Sequence, residues 1–185
     1  MPLAVRRTWG PLALALAVAL PAAAPAADAS PRAKILSAFA SVTSYRLTVL
    51  GSVRSLGVWV MPNKYQMTTM FAGKTVKTVI IGRDYWTYAD GKWQKSGTAS
   101  NNLDVDIAGL VRTARAEPKI PFVKLPDQVM DGKRVGTFGF TFKNGTDETC
   151  NYDPATYRVT RCKADELTLL YSGYNDPANR VANPK

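Results

Sequence analysis

The sequence predicts an α+β protein, a strongly curved antiparallel β-sheet with two helices covering its concave apolar side. Three features of the chain point to it. Apolar residues recur at three- and four-residue spacing in only two stretches, near residues 30–42 and 100–116. Elsewhere they alternate with polar residues at a period of two, with short turn signals between the runs. The alternating runs amount to about nine or ten strands, a number that does not easily remain flat and open in one domain.

The chain opens with a segment of a different kind. Arg6 and Arg7 precede an apolar run from Pro11 to Leu20, and an alanine- and proline-rich stretch follows. Ala27 and Ala29 place small residues at the positions a signal peptidase reads, so residues 1–29 are expected to be a secretory signal peptide cut before Ser30. Ala22-Ala23-Ala24 offers the other small-residue cut. The apolar run is too short to remain as a membrane span. The residue after the expected cut is serine, not cysteine, which speaks against a lipid-anchored amino terminus. Residues 30–185 are then expected to form a single domain of ordinary size, in the periplasm or outside the cell.

Ser30 is placed to cap the first helix, with Pro31 at the first helical position. Ile35, Leu36, Phe39 and Val42 make its apolar stripe. The period then changes to two, with Tyr45, Leu47 and Val49 on one side. Pro62-Asn63 turns the chain into a strand with Tyr65, Met67, Thr69 and Phe71 on one face. Ala72-Gly73 turns it again into "KTVKTVII". Asp90-Gly91 is a favoured tight-hairpin pair. It sets Ala89 opposite Lys92 and Tyr88 opposite Trp93, a cross-strand aromatic pair that packing alone accounts for.

The second helical pattern is "SNNLDVDIAGLVRTARA", with Leu103, Ile107, Leu110 and Ala114 on one stripe. Asp104 and Asp106 lie near its start and Arg112 and Arg115 near its end, as the helix dipole favours. "EPKIPFVKLPDQV" carries three prolines and reads as a loop lying over an apolar surface. Beyond it, "KRVGTFGFTF", "TDETCNY" and "ELTLLYSGY" read as strands, and "NDPANRVANPK" as a polar tail.

Cys150 and Cys162 are the only cysteines. They flank Asp153-Pro154-Ala155-Thr156, a turn signal, so a structural disulfide across a hairpin is expected in an oxidising compartment. A symmetric two-residue turn at Pro154-Ala155 would set Cys150 against Val159. A longer turn or a bulge must therefore shift the register for the bridge to form.

The chain contains no histidine, which removes histidine acid–base catalysis, the Ser-His-Asp and Cys-His arrangements, and histidine metal sites. With both cysteines bridged no thiol nucleophile remains. Asp104 and Asp106 do not face each other on a helix, and Asp147 and Glu148, adjacent near a strand end, read as solvated. The "GKT" at Gly73 to Thr75 lacks the glycine and the helix of a phosphate loop. No catalytic residue, metal site or cofactor is expected and the chain reads as no enzyme, the remaining catalytic alternative being a histidine-free enzyme that acts by positioning through Tyr, Asp or Glu.

The formal charge is +10, or +9 once residues 1–29 are gone. The cations are scattered, without a basic helix or dense run, so nucleic acid is not an expected partner. An anionic membrane surface or envelope polymer suits an exported basic chain better. The apolar inventory includes Trp59, Met67, Phe71, Trp86 and Phe138, and a curled, incompletely covered sheet would leave a cavity among such residues.

Four stretches carry a resemblance to a known family. They are "ILSAFASVTSYRLTV", "GVWVMPNKYQMTT", "KTVIIGRDYWTYADGKW", and the pair "YDPATYRVTR" and "LTLLYSGYN". In this order they resemble the periplasmic lipoprotein-carrier and outer-membrane lipoprotein-sorting superfamily, and they span most of the chain after residue 29. The resemblance implies an incomplete, strongly curved barrel with helices as a lid over an apolar cavity, and a role in binding lipids or acyl chains. It also admits envelope sensing or protein interaction on the same scaffold. The carrier has an arginine before the proline of its tryptophan strand, and Met61 stands there in this chain, so the likeness is to a divergent relative. The expected function is a non-catalytic carrier for a lipid, acyl chain or other hydrophobic ligand. Trp59, Met67, Phe71, Trp86 and Phe138 are the expected cavity wall, and Ile107 and Leu110 the expected lid.

Overall fold

In the computed structural model of the chain, residues 30–98, Val111, Arg115, 122–141 and 147–184 are described. Among the described residues, helix α1 (Arg32–Ala40) precedes eleven strands. These are β1 (Ser44–Leu50), β2 (Arg54–Val60), β3 (Lys64–Phe71), β4 (Lys74–Ile81), β5 (Asp84–Ala89), β6 (Lys92–Thr98), β7 (Val123–Met130), β8 (Lys133–Thr141), β9 (Asp147–Tyr152), β10 (Val159–Ala164) and β11 (Leu167–Ser172). All pair antiparallel in one sheet of order β6-β5-β4-β3-β2-β1-β11-β10-β9-β8-β7. Two meanders thus meet where β1 pairs with β11, Leu47 opposite Tyr171.

The sheet is open. Its outer strands β6 and β7 do not pair with each other, which corrects the expected strongly curved, incomplete barrel. The expectation rested on the number of strands in one domain, whereas here eleven strands remain an open sheet and each edge is blunted locally. Strand β6 carries Lys92 and Lys95, and β7 carries Pro126 inside a register shift between Leu125 and Gln128. The expected pair of covering helices reduces to α1 among the described residues. Of the stretch 100–116 predicted as the second helix, only Val111 and Arg115 are described, both with helical backbone, and the remainder lies outside the described residues.

Strand β7 is itself a correction, because the prolines of this stretch predict a loop. Pro126 is tolerated since it sits at a bulge on an edge, where the missing N–H breaks no ladder. Asp127, beside it, accepts a hydrogen bond from Arg134 Nε at 2.8 Å and pairs with Lys124. These contacts, Lys124 foremost, hold the Asp127 carboxyl below the ordinary carboxylate range.

Strand registers follow the turn chemistry. Asp90 and Gly91 have φ of 51° and 77°, so the β5–β6 hairpin is tight. Tyr88 stands opposite Trp93, as the sequence predicts, with ring centroids 5.3 Å apart. In the cysteine hairpin the loop is longer than two residues, with Tyr152 opposite Val159, and a bulge between Val159 and Arg161 then brings Cys150 opposite Cys162. The two form the expected disulfide.

Helix α1 is capped at Pro31 and not at Ser30, with Arg32 as its first residue and no side-chain cap. The Ser30 hydroxyl donates instead to the Phe122 carbonyl at 2.8 Å and accepts only a long 3.4 Å hydrogen bond from Arg32 N–H. Ile35 and Val42 are buried, and Leu36 and Phe39 pack against the same core. The carboxy-terminal tail is not merely polar. Asn175 accepts from Thr43 N–H at 2.7 Å and donates to the Ser41 carbonyl at 3.0 Å. Buried Asn179 donates to Ser44 Oγ and to the Gly173 carbonyl and accepts from Arg46 Nε. Together these contacts lock the α1–β1 corner.

Candidate functional site

The inner face of the sheet carries alternate residues of every strand, and its centre is an aromatic core. Tyr45 stacks on Trp59 at 5.8 Å, and Trp59 lies 4.6 Å from Tyr65. On the other side of β1 the core continues through Tyr171 to the disulfide, and then to Phe138, which stacks on Phe122 at 4.8 Å. The space between α1 and this core, lined by Ile35, Phe39, Val42, Tyr157 and Val159, is only about 10 Å³. That is barely room for one water molecule.

The residues expected to form a cavity wall therefore separate. Trp59 is 6% exposed and Phe138 0%, so both are filled core. Met67 lies on the same inner face beyond Tyr65, half-buried, and its sulfur accepts a hydrogen bond from the Tyr65 hydroxyl at 2.8 Å. Phe71, two positions further along that face, is 62% exposed. Trp86 points to the other face, since it pairs with Val79 and not with the inner residues Ile80 or Thr78. Lys95 Nζ lies 6.0 Å from its ring centroid. Ile107 and Leu110 lie outside the described residues.

What remains open on the inner face is its rim at the end where β3 turns into β4. Met67 and Phe71 stand there opposite Thr78 and Lys74, and exposed Val76 pairs with Thr69. The hydroxyls of Ser55 and Thr69 hydrogen-bond to each other at 2.9 Å. This rim thus offers apolar side chains with a few hydroxyls among them, the mixture that suits an apolar ligand with a small polar group.

The same end of the sheet carries a second opening. A groove of about 270 Å³ is lined by Val123, Gly139, Phe140, Thr141, Asp147, Glu148 and Thr149. This lies just under the usual size range of small-molecule sites, about 300–1,000 Å³. Glu148 projects onto the inner face, between Phe140 and Ala164 in register. It is not solvated as its neighbour Asp147 suggests. Burial alone pushes its carboxyl up to about 7, and no hydrogen-bond or ion-pair partner holds it among the described residues. Alternation makes this legible in principle, because Asp147 and Glu148 must face opposite ways on a strand.

Glu148 also lies within 4.8 Å of both cysteine sulfurs, the one cluster of metal-type ligand atoms among the described residues. Both sulfurs are tied in the disulfide, so the cluster offers one carboxylate and no thiolate. No helix among the described residues is long and apolar enough to cross a membrane.

No family model matches the chain, and no curated protein matches it in sequence. Solved structures do match. The crystal structure of LprF from Mycobacterium bovis superposes with a TM-score of 0.59 at 14% identity, over 84% of this chain and 98% of that one. A LolA superfamily protein from Nitrosomonas europaea matches at a TM-score of 0.35 and 11% identity, over 77% of this chain and 91% of that one. A DUF1329 family protein from Desulfovibrio piger matches at 0.36 and 10%, over 79% and 93%. The LprF match spans nearly that whole chain and is a likeness of fold.

Proposed function

We propose that this chain is an exported, non-catalytic binding protein for a lipid, acyl chain or other hydrophobic ligand. In this reading residues 1–29 direct export and are removed, and residues 30–185 form the working domain. The observation that carries it is the inner-face rim, where Met67, Phe71 and Val76 continue the buried face of the sheet yet Phe71 and Val76 remain exposed. A face that is core at Tyr45, Trp59 and Tyr65 does not stop being apolar where it stops being covered. The likeness of fold to LprF and the carrier-like order of motifs support the same reading. Affinity comes from burial, about 0.8 kcal/mol per methylene, so a chain of about ten carbons gives useful binding before ordering costs.

The ligand site needs no buried void beneath α1, where there is no room for one. It is an open wall on which an apolar chain lies along β3 and β4. Native mass spectrometry of the exported protein, purified without detergent, tests this against a denatured control. A mass excess that disappears on denaturation and is recovered as lipid in an organic extract supports the proposal. A protein that carries no adduct and takes up neither added palmitate nor phosphatidylglycerol overturns it.

A further inference from the structure

The connections β1–β2, β3–β4, β5–β6 and β10–β11 lie at one end of the antiparallel sheet. The large apolar side chains left exposed among the described residues gather there. Leu50, Leu56, Met70, Phe71, Val76, Val123 and Leu167 all fall within the last or first three positions of their strands at this end, and only Val129 lies at the other. Register separates them by face. Leu50, Leu56 and Met70 project outward, while Phe71 and Val76 project inward. A ligand wall requires one apolar face, and this end is apolar on both. The connecting turns between β1 and β6 are built from small residues, including Gly51, Ser52, Ala72, Gly73 and Gly91. Around them stand exposed Arg54, Lys74, Lys77 and Lys92 against Asp90, while the β10–β11 turn at the same end carries exposed Asp165 and Glu166.

We infer that the tips of the β1–β2, β3–β4 and β5–β6 hairpins dock end-on to an anionic lipid bilayer. The outward leucines and methionine and the inward phenylalanine enter the interfacial region on both sides of the sheet. The four cations then lie at headgroup level, their aliphatic stems along the apolar surface and their charges in the anionic layer. These three hairpins carry four cations against one acid, a net charge of +3 that suits an anionic surface, and the two acids of the β10–β11 turn keep the docking tip to the β1–β6 side of this end. The inference shares Phe71 with the proposed ligand wall, but Leu50, Leu56 and Met70 lie on the face that wall does not use, so substitutions there test docking alone.

Sedimentation of the exported protein with sucrose-loaded vesicles tests it. Vesicles of phosphatidylcholine and phosphatidylglycerol in equal parts should carry the protein down, phosphatidylcholine alone should carry much less, and added salt should release it. Lys74→Glu with Lys77→Glu should weaken the partition about thirtyfold or more, and Leu56→Ser with Met70→Ser should also weaken it, both with an unchanged melting temperature. Equal binding to the two vesicle types, equal binding by the charge-reversed variant, or no binding overturns the inference. So does concentration-dependent dimerisation, measured by light scattering, that Leu56→Ser with Met70→Ser abolishes while vesicle binding is absent.

Discussion

The ring of Tyr152 lies directly across Gly136, its cross-strand partner, so that a methyl group built at position 136 would sit 2.2 Å from the ring's Cζ. The glycine is thus a seat for the tyrosine, and the tyrosine covers backbone that the glycine leaves bare. Tyr152 in turn stacks on Tyr157 at 5.5 Å and meets Phe138 at 6.1 Å, so the pair anchors the carboxy-terminal half of the core. Gly136→Ala should destabilise the protein by about 1–3 kcal/mol through overpacking. Urea unfolding of G136A, Y152A and the double variant checks it, with the double variant costing less than the sum of the singles.

The disulfide between Cys150 and Cys162 closes a loop with a sequence separation of 12, and its cysteines are 0% and 2% exposed. Removing it by paired serine substitution should cost about 3 kcal/mol, chiefly by freeing the unfolded chain. Because reductant reaches the sulfurs only through opening, reduction of the native protein should follow its unfolding rate. Thiol trapping at increasing urea reads this directly.

Glu148 gives the stability of the protein a pH dependence of definite sign. Its folded pKa of about 7 stands above the ordinary 4.5. Between these values the folded state binds the proton more tightly than the unfolded state, so this group's contribution falls as pH rises from about 4.5 to about 7 and is level outside that window. Its partial exposure to water limits the loss to about 1–2 kcal/mol. Urea midpoints for the native protein and Glu148→Gln across this range should diverge, with the variant lacking that decline.

Asn179 makes three hydrogen bonds from a buried position, to Arg46, Ser44 and the Gly173 carbonyl. Asn179→Ala leaves these partners short of a hydrogen bond and should cost about 1–3 kcal/mol. Truncation after Gly173 should cost more, since Asn175 and Asp176 leave with it. Thermal melts of the two variants order the effects.

Local patterns in the sequence carry much of this fold, and failures of legibility have physical causes. The Asp90-Gly91 hairpin, its Tyr88–Trp93 pair and the need for a bulge before Cys162 all follow from turn chemistry and the two-residue period. Strand β7 is hidden because Pro126 forbids a central strand but not an edge bulge. Openness of the sheet is hidden because closure is a global property, and short edge devices such as Lys92, Lys95 and Pro126 remove the need for it. The tail clamp through Asn175 and Asn179 spans more than 130 residues of sequence, which no local pattern reports. At the site, aromatic and methionine content marks apolar faces without saying which are covered. Trp59, Phe138 and Phe71 read alike in sequence, and only the packing separates two core residues from one on an open rim.

That separation can be measured. Phe138 is wholly enclosed by Phe122, Phe140 and Tyr152, so Phe138→Ala should cost about 3–5 kcal/mol of stability. Phe71 touches little and is mostly exposed, so Phe71→Ser should leave stability within about 0.5 kcal/mol. If the rim binds an apolar chain, the same substitution should nonetheless weaken palmitate uptake severalfold, because it removes apolar area from the wall alone. Urea unfolding beside a fluorescent fatty-acid titration reads both quantities on each variant. Phe71→Ser with native stability and unchanged uptake would move the ligand off β3 and β4, toward the groove beside Glu148.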